Sequence, residues 1–239
     1  MWLDAIIIAA AAVSVASASQ NIVCVNPVPG LLREDCEYMR SIDVSEMGIN
    51  DFSNNGRIWI GDNGPNKLTF TNRADVPVTL MIWHNADFQS SFVSARQPYV
   101  TYSLPITGDS VVISVGGNVS GGFAALYDRT TILSPYGQVY NTWGEFTSGP
   151  YATINVSREP NMRGNSMKIR TGGGCVSNME TCVFKCKSGN SCWQDNTYYL
   201  QKCEAQAGNR RFGYDANGQP QGGCGGWENG GVVQIDLYN

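Results

Sequence analysis

YVTYSLPITGDSVVISVGGNVSGGFAALY, residues 99–127, is the stretch from which the fold is read. It holds three runs, Tyr99–Leu104 (YVTYSL), Val111–Val115 (VVISV) and Gly122–Tyr127 (GFAALY). Each is rich in β-branched or aromatic residues and bounded by turn formers, which is the pattern of short strands. In the first run Val100, Tyr102 and Leu104 face opposite to Thr101 and Ser103, the two-residue period of extended chain. Upstream, Arg57–Ile60 (RIWI), Leu68–Asn72 (LTFTN) and Val76–Trp83 (VPVTLMIW) repeat the pattern, and downstream Trp143–Thr147 (WGEFT) and Ala152–Ser157 (ATINVS) continue it. Strands this short and this regularly spaced predict a mainly β fold, an antiparallel β-sandwich or barrel over 57–171. Pro77 lacks an N–H, so its run is either an edge strand or starts late.

The flanks differ from this centre. Residues 1–18 read as a secretory signal peptide: an apolar stretch from Ala5 to Val15, then Ala16-Ser17-Ala18 as a cleavage signal. The apolar stretch is shorter than the ~20 residues of a spanning helix. Residues 19–56 form an N-terminal extension with a short polar helix expected over Leu31–Arg40. From Gly172 the chain turns Gly-, Asn- and Cys-rich, so 172–239 is expected to be a small disulfide-rich lobe, from which Val232–Leu237 (VVQIDL) returns as a strand.

Eight cysteines, an even number on an oxidising route, predict four disulfides and a secreted, extracellular protein. Cys24 and Cys36 form a local couple, because closing a short loop needs no long-range approach. Cys175, Cys182, Cys186, Cys192, Cys203 and Cys224 are separated by 6, 3, 5, 10 and 20 residues. That spacing has no C-x-x-C, so disulfides outweigh a metal site, and their fifteen possible pairings stay open. Two sequons, Asn118-Val119-Ser120 and Asn155-Val156-Ser157, are candidate glycosylation sites.

The 239 residues carry 16 basic and 20 acidic side chains, with no basic cluster, which argues against nucleic-acid binding. A single histidine, His84, removes His-rich metal sites, and a hydrogen-bonded strand-end role suits it better than catalysis. The glycine runs at 172–174 and 222–226 fit no phosphate-cradling pattern, so no cofactor is expected.

Arg129-Thr130, then GQVYNTWGEFT (137–147), then Asn155-Val156-Ser157 and the cysteine-dense tail together resemble the thaumatin-like (osmotin-like) family, in its small secreted fungal form. The resemblance implies a two-sheet sandwich with a disulfide-rich lobe and an acidic cleft. It also implies β-1,3-glucan binding, sometimes with weak endo-glucanase activity, and antifungal or host–microbe roles. Arg129 and Glu145 stand where the family's cleft arginine and glutamate sit. Asn155 replaces a cleft aspartate, Glu159 or Asn161 matches the next acid, and the last aspartate has no placed counterpart. Eight cysteines against the family's usual ten or sixteen is a further departure.

Read without the resemblance, the same residues have plainer roles. Glu145 alternates with Phe146, and a strand glutamate ordinarily faces water. Asp128 and Arg129 are turn residues after GFAALY, and Arg158-Glu159 is a surface charge pair. Trp59, Trp83 and Trp143 lie in strands and are assigned to packing. Trp193 and Trp227, with Tyr198 and Tyr199, lie in the Gly-rich region and are the candidates for stacking on sugar rings. Glycoside hydrolysis needs two facing carboxyl groups. Glu145 is one, Asp128 or Glu159 the only candidates for the other, and Asn155 does not ionise. The expectation is therefore a secreted monomer that binds cell-wall β-glucan, or acts as an effector, with little or no hydrolysis. A weak endo-β-1,3-glucanase and a secreted interaction protein or inhibitor that ignores glucan are the alternatives. Expected partners are β-glucan or another host or cell-wall component, with no nucleic acid and no membrane after signal cleavage.

Overall fold

The computed structural model describes residues 22–85, 97–204, 210–228 and 230–239, so the signal peptide expected at 1–18 lies outside the described residues. One helix, α1 (Arg33–Ser41), precedes the strands. The first half of the strand series is β1 (Ile58–Ile60), β2 (Asn66–Asn72), β3 (Val78–Asn85), β4 (Val100–Leu104), β5 (Ser110–Val115), β6 (Ser120–Tyr127), β7 (Trp143–Thr147) and β8 (Thr153–Ser157). It continues with β9 (Met167–Thr171), β10 (Val176–Ser177), β11 (Val183–Cys186), β12 (Tyr198–Gln201), β13 (Arg210–Tyr214), β14 (Pro220–Cys224) and β15 (Val232–Leu237).

Two sheets result. One has the order β1-β5-β2-β15-β9-β10, and the other β12-β11-β8-β7-β6-β3-β4, with the β13–β14 hairpin joined to β8 where Cys224 opposes Ile154. The main core lies between the sheets. Leu68, Phe70, Ile113 and Ile235 from one sheet meet Leu80, Phe123, Phe146 and Ile154 from the other. Phe70 and Phe123 cross the interface edge to face at 4.9 Å, the geometry that the ring quadrupole favours. Burying each such side chain stabilises the fold by ~1.5–3 kcal/mol.

The second sheet is covered on its other face as well. Met81, Trp83, Ala124, Leu126 and Trp143 point away from the first sheet and pack against Cys36 and Met39 of α1, with Ile22, Leu31 and Val44. The helix is fixed by Asp35, whose carboxylate accepts from Ser103 Oγ at 2.5 Å and from Arg129 Nε at 2.8 Å. Tyr38 Oη donates to Thr131 O at 2.8 Å. This cover explains why Thr101 and Ser103 are buried although the alternation of β4 places them opposite its apolar residues.

The sheets are mixed where the sequence suggested antiparallel pairing throughout. β15 runs parallel to β2, and β11 parallel to β8, because the chain crosses the molecule before each pairing. Pro77 stands just before β3, an interior strand, so the late start accommodates it. Cys24 is bonded to Cys36, and the six later cysteines pair as Cys175–Cys224, Cys182–Cys203 and Cys186–Cys192. The region after Gly172 contributes β10 and β15 to the first sheet and β11, β12 and β14 to the second.

Candidate functional site

The site begins with a register. β7 and β8 are antiparallel with Glu145 opposite Asn155. Phe146, Ile154 and Val156 take the inter-sheet core, so the alternation sends Glu145 and Asn155 to the other face, beside Trp143. There Glu145 is not in water: it is 6 % exposed, as is Asn155. Directly opposed residues hold their Cβ atoms about 4.5–5.5 Å apart. On the opposite flank Glu145 faces Gly122 of β6, which in turn faces Trp83 of β3. A Cβ on Gly122 would stand 2.6 Å from the Trp83 ring, so glycine is what leaves room for the indole at this position.

Glu159 is the second carboxyl. It lies two residues beyond β8, where Ser157 Oγ accepts from the Glu159 N–H at 3.4 Å. The Cys186–Cys192 loop clamps its carbonyl, which accepts from Cys192 N at 2.9 Å. Pro160 bends the chain after it, and the side chain, 4 % exposed, comes to rest near Glu145. Burial pushes Glu145 up to about 7. Glu159 is raised well above the usual carboxylate range, first by burial and second by the Glu145 charge. Two buried acids that disfavour each other's ionisation hold at least one proton near neutral pH.

The neighbours are polar but not basic. Tyr198 of β12 is pushed up to about 12, by burial first and then by Glu159, Asp195, Asp215 and Glu145. Asn155 Nδ2 donates to Gly222 O at 3.3 Å, while its buried Oδ1 has no hydrogen-bond partner among the described residues. The buried indole N–H of Trp83 likewise has no partner among the described residues. An orphaned buried donor or acceptor costs ~1–3 kcal/mol, and these are two of the seven such side-chain atoms among the described residues.

The same face continues outward. Thr147 and Thr153, opposed two positions along from Glu145 and Asn155, line an open groove of about 450 Å³ with Tyr151, Arg211, Tyr214 and Gly222. Gly222 is the residue that holds the Asn155 amide, so groove and acid pair share a wall.

Other expected site residues lie elsewhere. Arg129 does not meet Glu145: its guanidinium bonds Asp35 and Glu34 of α1, both at 2.8 Å. Gly122, opposite Glu145, and Tyr127 are five strand residues apart, about 16 Å, and Asp128 and Arg129 follow in a turn, both with positive φ. Trp227 is 1 % exposed and belongs to the inter-sheet core. Gly231 permits this, since a Cβ there would stand 2.2 Å from Trp227 Cα. Trp193 is half exposed and meets Tyr136 edge to face at 5.0 Å. Asn161 bonds Tyr140 O and Asn190, which leaves Glu159 as the acid beside Glu145. His84 Nδ1 lies 2.9 Å from Ser120 O, a strand-end hydrogen bond. Among the described residues the grouped potential metal ligands are Cys175, Cys182 and Cys224, whose sulfurs are already committed to disulfides.

No protein-family model and no curated protein matches the chain. Among solved structures it is similar to a thaumatin-like xylanase inhibitor, at 12 % identity and a TM-score of 0.31, over 71 % of this chain and 97 % of that one.

Four disulfides fit an oxidising, extracellular compartment. Among the described residues no helix is long and apolar enough to cross a membrane.

Proposed function

We propose that this chain is a secreted protein that binds β-glucan at the face holding Glu145, Asn155 and Glu159, with little or no hydrolysis. The observation that carries the reading is the buried carboxyl pair beside Asn155, whose Oδ1 has no hydrogen-bond partner among the described residues, next to a hydroxyl- and tyrosine-lined groove that shares Gly222 with it. Protonated carboxyls and amides both donate and accept, as sugar hydroxyls require. The resemblance of the sequence to the thaumatin-like family names β-1,3-glucan as the polymer to try first.

The pair also supports a second reading, glycoside hydrolysis, because Glu159 supplies the second carboxyl. The raised titration argues against it under acidic conditions. Glu145 keeps its proton below about pH 6 and Glu159 is raised in the same direction, so acid conditions remove the carboxylate that would act as base or nucleophile.

Retention on insoluble β-1,3-glucan at acidic pH, with an assay for released oligosaccharide, tests both. Retention without release is the expected result. Glu145→Gln, which keeps donor and acceptor, should stay bound, and Glu145→Leu, which removes both, should bind roughly three- to tenfold more weakly. No retention at any pH ends the reading. Release that rises above pH 7 and vanishes in both Glu145→Gln and Glu159→Gln selects hydrolysis instead.

A further inference from the structure

We infer that the groove between the Gly149–Tyr151 turn and the β13–β14 hairpin is a separate saccharide subsite, in which Tyr151 and Tyr214 stack on pyranose rings of a neutral glucan chain. The inference rests on the glucan reading above and adds to it where the polymer runs.

Tyr151 and Tyr214 are 76 % and 64 % exposed, although the molecule has ample core in which to bury tyrosines. Both rings are held in place. The Arg211 guanidinium lies 6.0 Å from the Tyr151 ring centroid, at cation–π distance, and its Nη2 donates to Pro150 O at 3.2 Å. One side chain thus fixes both the ring and the turn that carries it. Tyr214 stands edge to face with Phe212 at 5.3 Å, two residues back on the same strand. Rigid aromatic faces lose little entropy when a flat apolar ring settles on them.

The lining indicates the charge of the ligand. Arg211, the cation of the groove, is already neutralised by Glu228 at 3.1 Å, so an acidic sugar finds no free positive charge there. Thr147 and Thr153 supply hydroxyls on the groove floor, which suits neutral sugar hydroxyls. Gly222 accepts from the Asn155 amide and also lines the groove, so the groove adjoins the strand pair that carries Glu145 and Asn155. Gly222 has a φ of +114°, and a Cβ would stand 1.9 Å from Arg211 O, so only glycine brings the hairpin this close.

Calorimetric titration of the oxidised, full-length secreted protein with β-1,3-linked trisaccharide and hexasaccharide decides it. The wild type should bind the hexasaccharide more tightly. The Tyr151→Ala/Tyr214→Ala double variant should lose that gain, roughly tenfold, with trisaccharide affinity unchanged. Because both rings are exposed, its unfolding midpoint should match the wild type, which separates lost contact from lost fold. Hexasaccharide binding at wild-type strength in the double variant overturns the subsite while leaving the acid-centred reading intact. Binding lost in the double variant but kept in Glu145→Leu supports the subsite and overturns that reading. If neither saccharide binds, both fall.

Discussion

Raising the pH from 4.5 to 8 should destabilise this fold, opposite to the usual behaviour of carboxylates. Glu145 moves from an ordinary value of 4.5 in the unfolded chain to about 7 in the folded one, because burial penalises its charged form. A folded value above the unfolded one means that the native state holds more protons between the two. Stability is therefore fully present below pH 4.5 and is lost as the pH rises toward 7. A displacement of about 2.5 units corresponds to about 3 kcal/mol for Glu145 alone. Glu159 shifts in the same direction and steepens the loss. For a domain of this size that is a fall in midpoint of roughly 6–12 °C.

Glu180 and Glu228 provide an internal control of opposite sign. Glu180 is held below its ordinary value by its hydrogen bond from Lys185. Partial burial pushes Glu228 up, but backbone N–H groups and Arg211 outweigh it and leave the group lowered. Their contribution is present above pH 4.5 and is lost only below it, so the windows do not overlap. Glu180 is exposed and Glu228 half-buried, which keeps their effect small. Urea unfolding followed by tryptophan fluorescence, with disulfides intact, measures the profile. Glu145→Gln should remove about 3 kcal/mol of the slope between pH 4.5 and 7. Stability that stays flat or rises over that window, or a Glu145→Gln variant that keeps the full slope, refutes the reasoning.

Two further outcomes follow from burial and pairing. In a eukaryotic host Asn118, exposed in the turn before β6, should carry glycan, whereas Asn155, buried and bonded to Gly222, should not, as site-specific mass spectrometry will report. Full occupancy at Asn155 in folded protein contradicts the placement of the site. Arg129→Ala removes the ion-pair partner of the buried Asp35 carboxylate of α1, leaving it the Ser103 hydroxyl, and should cost about 1–3 kcal/mol in urea unfolding. It should leave glucan retention unchanged, and a selective loss of binding shows that Arg129 belongs to the site after all.

Strands with clear alternation or β-branched runs are legible in the sequence. WGEFT and VVQIDL are strands over the same residues, and β2 to β6 differ from their expected bounds by two residues at most. What alternation does not carry is what covers the far face of the second sheet. The 22–47 segment is polar enough to read as an extension, yet Leu31, Cys36, Met39 and Val44 bury Trp83 and Trp143. The later strands are illegible for another reason. β11 (VFKC) and β14 (PQGGC) are short and Gly- or Cys-containing, and they are extended because disulfides and neighbouring strands hold them, not because their composition favours it. Trp227 misleads on the same ground: the glycines around it look like loop, but they let backbone pack closely against the Trp227 main chain while the indole enters the inter-sheet core.

The site itself is half legible. Glu145 and Asn155 come from matched strands, and their opposition follows from register. Glu159 is one of two acids that sequence leaves as the possible second carboxyl, since the direction of the chain after Ser157 depends on Pro160 and on a disulfide loop some thirty residues downstream. Tyr151 and Tyr214 carry no signal in sequence, being single tyrosines in turn-like surroundings. Asn155 is the residue that gives the arrangement its character. An ionised acid there would lower the stability of an already crowded pair, whereas an amide adds a donor and an acceptor without charge. Arg129 is engaged by α1, and among the described residues no ion pair reaches Glu145 or Glu159 to draw them into their charged forms. Burial then wins over ionisation, and at acidic pH neutral carboxyl and amide groups stand beside a groove whose cation, Arg211, is paired with Glu228.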